Sequence, residues 1–279
     1  IPAVELLSRL GLRSTYNFFR QLGLHDGAEP AEKYGLGLAI GGLPVTLEQL
    51  TTAYTALAGD GNLRPPRFLP VAPDAEPSAR VFSEDSVRQI ALFLSDPQAR
   101  LPSFPRLGAS EYPFPVAVKT GTSSGYHDAW TAAYSTRYLV TAWVGHPDFR
   151  SMNRLSGYRT AAELVQRVMV HLHRDQMDGL ADLSFPPPRG YRAQRICALS
   201  GQVATEACDR VFLEWFAAGT GPEANCAAHH LRAVDRRNGL LATRTTPAEF
   251  RELRTFLELP ARYAEWLTAT SMPQTPLAT

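Results

Sequence analysis

The 279-residue sequence predicts an α/β fold in which an antiparallel sheet is flanked by helices. Three observations carry that expectation. Three β-rich stretches, "FPVAVKT", "DAWTAAYS" and "YLVTAWVGH", follow one another between residues 114 and 146. The second and third are separated by little more than Thr136 and Arg137, the spacing of a hairpin. An amphipathic run, "TAAELVQRVMVHL", follows them, and a helix there packs its apolar face onto the sheet.

The elements before the sheet read as helices and loops. Val4, Leu7 and Leu10 share a face and Gly11 ends that helix; Ser14 is placed to cap a second one carrying Phe18, Phe19 and Leu22. "KYGLGLAIGGLPV", 33–45, is too glycine-rich for a regular helix and reads as a loop or short extended segment. Thr46 and Gln49 form a capping-box pattern ahead of Leu47, Leu50, Tyr54, Leu57 and Ala58, with Gly59 or Gly61 as the stop. Residues 62–78 are proline-rich and extended. Ser83 caps a helix that aligns Val87, Ile90, Ala91 and Leu94. In the run after the sheet, Ala161, Leu164, Val165, Val168, Met169 and Leu172 share the apolar face.

Composition shifts at "SFPPPRGYR", 184–192, which marks a boundary between residues 1–183 and a turn-rich, cysteine-containing extension, 184–279. A last helical stretch is expected over 247–258, ending before Pro260, and the tail "SMPQTPLAT" is expected to be disordered or cut from a longer chain.

A formal charge of +1 argues against a polyanion-binding surface. No apolar run reaches the length of a membrane span, and no signal peptide is visible. The opening "IPAVELLSRLGL" has no initiator Met and reads as the start of a fragment or processed product. Cys197, Cys208 and Cys226 are an odd number, so a single disulfide leaves a free thiol. With His229 or His230 they are also a candidate Cys₃His zinc set, although only the 226–229 spacing is tight. One disulfide plus a free thiol is the favoured reading, and no metal site is assigned. His171 and His173, two apart on a helix, do not share a face and are poor co-ligands. His127 reads as a turn residue, and Arg232, Arg236 and Arg237 as a solvated face.

The chemistry concentrates at Lys119-Thr120-Gly121-Thr122. Lys33 and Lys119 are the only lysines in a chain that otherwise uses arginine. A lysine at the end of a buried strand has its stem held and its ammonium presented at the sheet edge, where it assists proton transfer or attracts an anion. Gly121 lets a substrate approach the backbone. The two threonine hydroxyls suit a carboxylate, and a backbone N–H here can face a developing oxyanion. The bland alternative is a strand-end lysine before a turn.

The block "KTGTSSGYHDAW" resembles the K-T-G region of penicillin-binding serine acyl-transferases. The segment "YGLGLAIGGLPVTLEQLTTAYTALAGDGNLRPP" is similar to that family's G-x-A-L-G-x-x-x-V-T-x-L stretch. "YLVTAWVGH" matches its hairpin partner. "RICALSGQVATEAC" and "EWFAAGTGPEANCAAHH" resemble the post-catalytic segment of its class A bifunctional members, and "TFLELPARYAEWLTATSMPQTP" resembles the 1C branch. The resemblance covers nearly the whole chain. It implies the C-terminal half of a transpeptidase domain with a serine β-lactamase-like fold, from a bifunctional glycosyltransferase/transpeptidase at the periplasmic face of a bacterial inner membrane. It implies a DD-transpeptidase that takes stem peptides ending in D-Ala-D-Ala, reacts covalently with β-lactams, and needs no cofactor and no nucleic acid. Membrane attachment would come only through an N-terminal anchor outside this sequence. By the same resemblance Lys119 is the catalytic lysine beside the nucleophile. Thr120 and Thr122 bind the terminal carboxylate, the Thr122 N–H is half of the oxyanion hole, and Gly121 gives clearance. Asp128 and Trp130 are structural supports.

Two of the family's three motifs are missing. No S-x-x-K exists: the position three before Lys33 is Pro30 and that before Lys119 is Val116. The one S-x-N, Ser151-Met152-Asn153, lies after the K-T-G block rather than before it and reads as a chance loop sequence. The family commonly follows S-x-N with [IV]-P-A, and this chain opens "IPAV", so it is expected to start just after that asparagine and to lack acylation activity alone. Two other readings compete. A non-catalytic peptidoglycan-binding or structural module needs no nucleophile. An α/β-hydrolase would use Ser123 of "GTSSG" with Asp148 and then His171 or His173, but a nucleophile elbow requires strand, turn, then helix.

Overall fold

The computed structural model describes residues 2–67, 79–101, 104–175 and 183–269. They form two compact units, Ile1–Arg189 and Gly190–Thr279.

In the first unit, α1 (Pro2–Leu10) and α2 (Leu12–Gln21) meet at Gly11, whose φ of 87° is open to a residue without Cβ. Gly11 itself occupies the N-cap, so Ser14 lies inside α2 and not at its cap. The glycine-rich segment is not a plain loop: Ala31–Lys33 and Gly35–Ile40 are short 3₁₀ turns, stopped by Gly41 in the left-handed region. The tighter i→i+3 turn needs only short runs, which tolerate these glycines. It delivers Leu38 to a cluster with Leu7, Tyr16, Ala31 and Leu43. Helix α3 (Leu47–Ala58) carries the expected capping box, with Thr46 Oγ1 accepting from Gln49 N at 3.1 Å and Gln49 Oε1 from Thr46 N at 2.8 Å. The two-residue strands β1 (Asn62–Leu63) and β2 (Ala79–Arg80) pair antiparallel. Residues 68–78, most of the expected proline-rich stretch, lie outside the described residues. Ser83 caps α4 (Glu84–Ser95), and α5 (Pro97–Arg100) follows with Asp96 at its cap.

The sheet is a three-stranded antiparallel meander, β3 (Ala117–Thr122), β4 (Asp128–Tyr134) and β5 (Leu139–Gly145), in that order. The pleat sends alternate residues to opposite faces. Val116, Val118, Ala133 and Ala142 pack with Ala161, Val165 and Met169 of α6 (Ala161–Leu172). Ala117 and Tyr134 pack on the other face with Ala91 of α4 and Tyr54 and Leu57 of α3. Helices therefore cover both faces. The buried stripe of α6 is Ala161, Ala162, Val165 and Met169; Leu164, Val168 and Leu172 are substantially exposed, contrary to the wider apolar face expected. Burial of Val165 and Met169 contributes about 1.5–3 kcal/mol each.

The second unit holds two hairpins, β6 (Tyr191–Cys197) with β7 (Val211–Ala217), and β8 (His229–Asp235) with β9 (Arg251–Leu257). The helix expected over 247–258 is not formed. That segment is a single 3₁₀ turn, Ala248–Phe250, leading into β9, which pairs along its whole length with β8. Helix-compatible residues such as Glu252, Leu253 and Arg254 are captured by a partner strand that local sequence does not reveal. Among the described residues the unit's α-helix is α7 (Ala264–Ala269), after Pro260.

Candidate active site on the Lys119 strand

Strand β3 is an outer strand of the described sheet, so one of its edges is free for pairing. Lys119 and Gly121 lie on the α3/α4 face with Ala117; Thr120 and Thr122 alternate to the α6 face with Val118. Val118 and Ala117 are buried while Lys119 and Thr122 are exposed, so the strand runs from core to surface within its six residues. The buried half anchors the strand, and the exposed Lys119 ammonium donates to the Thr120 carbonyl at 2.6 Å. Among the described residues no carboxylate lies within ion-pair distance of it. A held but uncompensated cation suits an anionic ligand.

Thr122 Oγ1 accepts a hydrogen bond from Gly157 N at 3.0 Å. Its own proton has no acceptor among the described residues, which leaves it available to a carboxylate. A Cβ on Gly121 would meet only the Trp130 side chain, at 3.4 Å, an ordinary contact. The protein's own packing does not require glycine there, so the space beside it suits a ligand. Gly157 is the opposite case: a Cβ on it would stand 2.6 Å from the Trp130 carbonyl oxygen and closer still to that of Gly121. Sequence reasoning missed Gly157. Only the third dimension brings it against the β3–β4 backbone.

The two positions expected to be supports act on the hairpin. Asp128 Oδ1 accepts from Trp143 Nε1 at 2.9 Å, linking β4 to β5. Trp130 stands opposite Gly121 and Trp143 in register, its ring 6.2 Å from that of Trp143. The β3–β4 turn is covered by the following loop: Ser151 Oγ donates to the Gly125 carbonyl at 2.7 Å, and His127 stacks on Phe149 with centroids 4.4 Å apart. Ser151-Met152-Asn153 therefore clamps the turn.

The geometry opposes a nucleophile elbow. Ser123 is followed by a 3₁₀ turn, Ser124–Tyr126, and then by strand β4, not by a helix. Its Oγ accepts from Asp128 N at 2.7 Å. Of the two candidate bases, buried His173 is engaged elsewhere, between Ser135 Oγ at 3.0 Å and the Met169 carbonyl at 2.9 Å. His171 is on the surface beside Arg174, and Asp148 pairs with Arg150.

In the second unit all three cysteines are free thiols, so the disulfide favoured from sequence is not formed. Arg232 pairs with Glu258 on the hairpin surface, and the half-exposed Arg237 pairs with the buried Asp235.

Residues 1–169 match the penicillin binding protein transpeptidase domain, and residues 187–231 match the C-terminal domain of penicillin-binding protein 1A. Penicillin-binding protein 1C of Escherichia coli (strain K12) is 31% identical over 232 residues, which is 80% of this chain and 28% of that protein. Penicillin-binding protein 1A of Aquifex aeolicus (strain VF5) is 27% identical over 238 residues, 81% of this chain and 31% of that protein. The chain thus spans less than a third of these relatives' length. The crystal structure of penicillin-binding protein 1A from Haemophilus influenzae superposes with a TM-score of 0.57 over 80% of this chain and 39% of that one, at 19% identity, which shows a common fold. The Lys119 strand lies inside the matched domain, and the chain belongs to the penicillin-binding protein transpeptidase family.

Proposed function

We propose that this chain supplies the lysine-bearing strand of a serine DD-transpeptidase site, within a longer protein of the 1A/1C kind. One observation carries the reading: a lysine with no carboxylate partner among the described residues sits beside a ligand-accommodating glycine and a threonine with a free hydroxyl proton, on an unpaired strand edge. An extended peptide ending in D-Ala-D-Ala can lie along that edge by strand addition, its carboxylate facing Thr120 and Thr122. The serine Oγ of an S-x-x-K motif outside this sequence attacks the penultimate carbonyl. The peptide C–N bond breaks, the terminal D-Ala leaves with a proton on its amine, and an ester remains. An amine of a second strand then attacks the ester, giving the cross-link and returning a proton to the serine. Lys119 holds the proton network beside that serine, and the Thr122 N–H faces the oxyanion. A β-lactam acylates by the first step alone. The proposed location is the periplasmic face of the inner membrane. No described helix is long and apolar enough to cross a membrane.

A fluorescent penicillin tests the reading. The 279-residue chain is expected to remain unlabelled, and a longer form that includes S-x-x-K to be labelled. In that longer form Lys119→Ala is expected to slow acylation by roughly 100-fold or more. Lys119→Arg should rescue little, because guanidinium does not exchange protons at neutral pH. A stable covalent adduct on this chain, or full acylation of the Lys119→Ala form, would overturn it.

A further inference from the structure

The cysteines of the second unit converge with a histidine. The Sγ atoms of Cys197, Cys208 and Cys226 and a ring nitrogen of His229 all lie within 4.8 Å of one another. His229 Nδ1 is 3.4 Å from both Cys197 Sγ and Cys226 Sγ. We propose that Cys197, Cys208, Cys226 and His229 bind a structural zinc ion.

The spacing matches the ion. Zn–S bonds of about 2.3 Å and a Zn–N bond of about 2.0 Å at tetrahedral angles give S···N edges of about 3.5 Å and S···S edges of about 3.8 Å. A disulfide explains less. It joins two sulfurs at about 2.05 Å and leaves a third thiol and a buried imidazole without a task. The imidazole is equidistant from two sulfurs, which a single S–H···N bond does not require.

Groups around the four ligands are arranged as a metal site requires. Asp209 Oδ1 lies 3.3 Å from His229 Nε2. With the ring proton on Nε2 and directed at that carboxylate, the Nδ1 lone pair faces the sulfurs, which is the orientation a ligating histidine takes from a neighbouring carboxylate. Thr205 N donates to Cys208 Sγ at 3.3 Å and Ser200 Oγ to Cys226 Sγ at 3.2 Å, which stabilises thiolate charge. Cys197, Cys226 and His229 are buried, and four protein ligands fill a tetrahedron, so the site is closed and structural, not catalytic. Three soft sulfurs and one imidazole select zinc over magnesium or calcium.

The unit has use for such an ion. Cys197 ends β6, Cys208 precedes β7, and Cys226 and His229 lead into β8, so one ion ties the two hairpins together. A two-stranded hairpin is marginal by itself.

The test is metal content. The chain is purified under reducing conditions, given excess zinc, desalted and analysed by plasma mass spectrometry; about one zinc per chain is expected. Cobalt(II) in its place should show the intense visible bands of a tetrahedral thiolate site. Cys208→Ser should lose both signals. Asp209→Asn changes an exposed side chain that does not threaten folding, and should weaken zinc roughly 10- to 100-fold in competition with a chromophoric chelator. Wild-type protein that retains no zinc, cobalt protein without thiolate bands, or an unreduced preparation whose cysteines are disulfide-linked would each overturn the proposal.

Discussion

Gly157 packs against the carbonyl of Gly121, yet the structure asks different things of the two glycines. At Gly121 an added methyl meets one side-chain carbon at 3.4 Å. Gly121→Ala is therefore expected to leave stability within about 0.5 kcal/mol of the parent, while penicillin acylation of the longer protein falls because the methyl occupies ligand space. At Gly157 the methyl would strike two carbonyl oxygens. Backbone cannot swing aside as a flexible side chain can, so Gly157→Ala should cost about 1–3 kcal/mol and lower the melting temperature. Denaturant unfolding of the two variants checks both, and equal destabilisation would contradict the division of roles. Lys119, Thr120, Gly121 and Thr122 can be singled out as candidates from sequence because they are contiguous. Gly157 cannot be: it lies thirty-five residues from Thr122, and its role exists only once the loop folds back.

At the scale of elements, short-range signals were readable and long-range pairings were not. The capping box at Thr46, the cap at Ser83 and the β4–β5 hairpin each use residues adjacent in sequence, and each formed as expected. Strand β9 failed as a helix prediction because its partner β8 lies across a long connection, and "RELRTFL" carries no strict alternation of apolar residues. The cysteine–histidine cluster was set aside for a related reason, since wide gaps separate Cys197, Cys208 and Cys226. The β8–β9 hairpin carries its own pH dependence. The Arg237 side chain and then the Arg237 backbone N–H hydrogen-bond the Asp235 carboxyl and hold it at about 2, below its ordinary 3.8. A carboxyl depressed by folding stabilises above its unfolded value, and that stabilisation is lost as pH falls toward the folded one. Amide protection at Asp235 and Asn238, whose N–H groups close this turn, should therefore weaken between about pH 4 and pH 2. Asp235→Asn should remove the pH dependence, and a hairpin equally protected at both ends of that range in the parent would count against it.

The whole molecule combines two ways of making a small protein body stable. In Ile1–Arg189 both faces of a sheet are covered by helices, so apolar burial at Val116, Val118, Val165 and Met169 does most of the stabilising. In Gly190–Thr279 the buried apolar residues among those described are fewer, with Val234, Phe256, Leu257 and Leu267 the larger ones, so a further join between the two hairpins adds proportionately more. Backbone bonds tie the β6–β7 connection to the segment entering β8 beside a cysteine: Cys226 N donates to the Val203 carbonyl at 2.8 Å and Val203 N to that of Ala224 at 3.0 Å. If zinc holds the cysteine–histidine cluster, its free energy of binding is folding free energy for this unit and not for the other. A strong chelator with reductant should then raise hydrogen exchange at Cys197, Val203, Cys226 and along β6–β9. The amides of Val118, Ala133 and Ala142 should keep their protection, because their burial depends on α6 and not on any ion. Exchange mapped residue by residue makes the comparison within one sample. Loss of protection in both units together would contradict a metal role confined to the second, and no loss in either would contradict the metal itself.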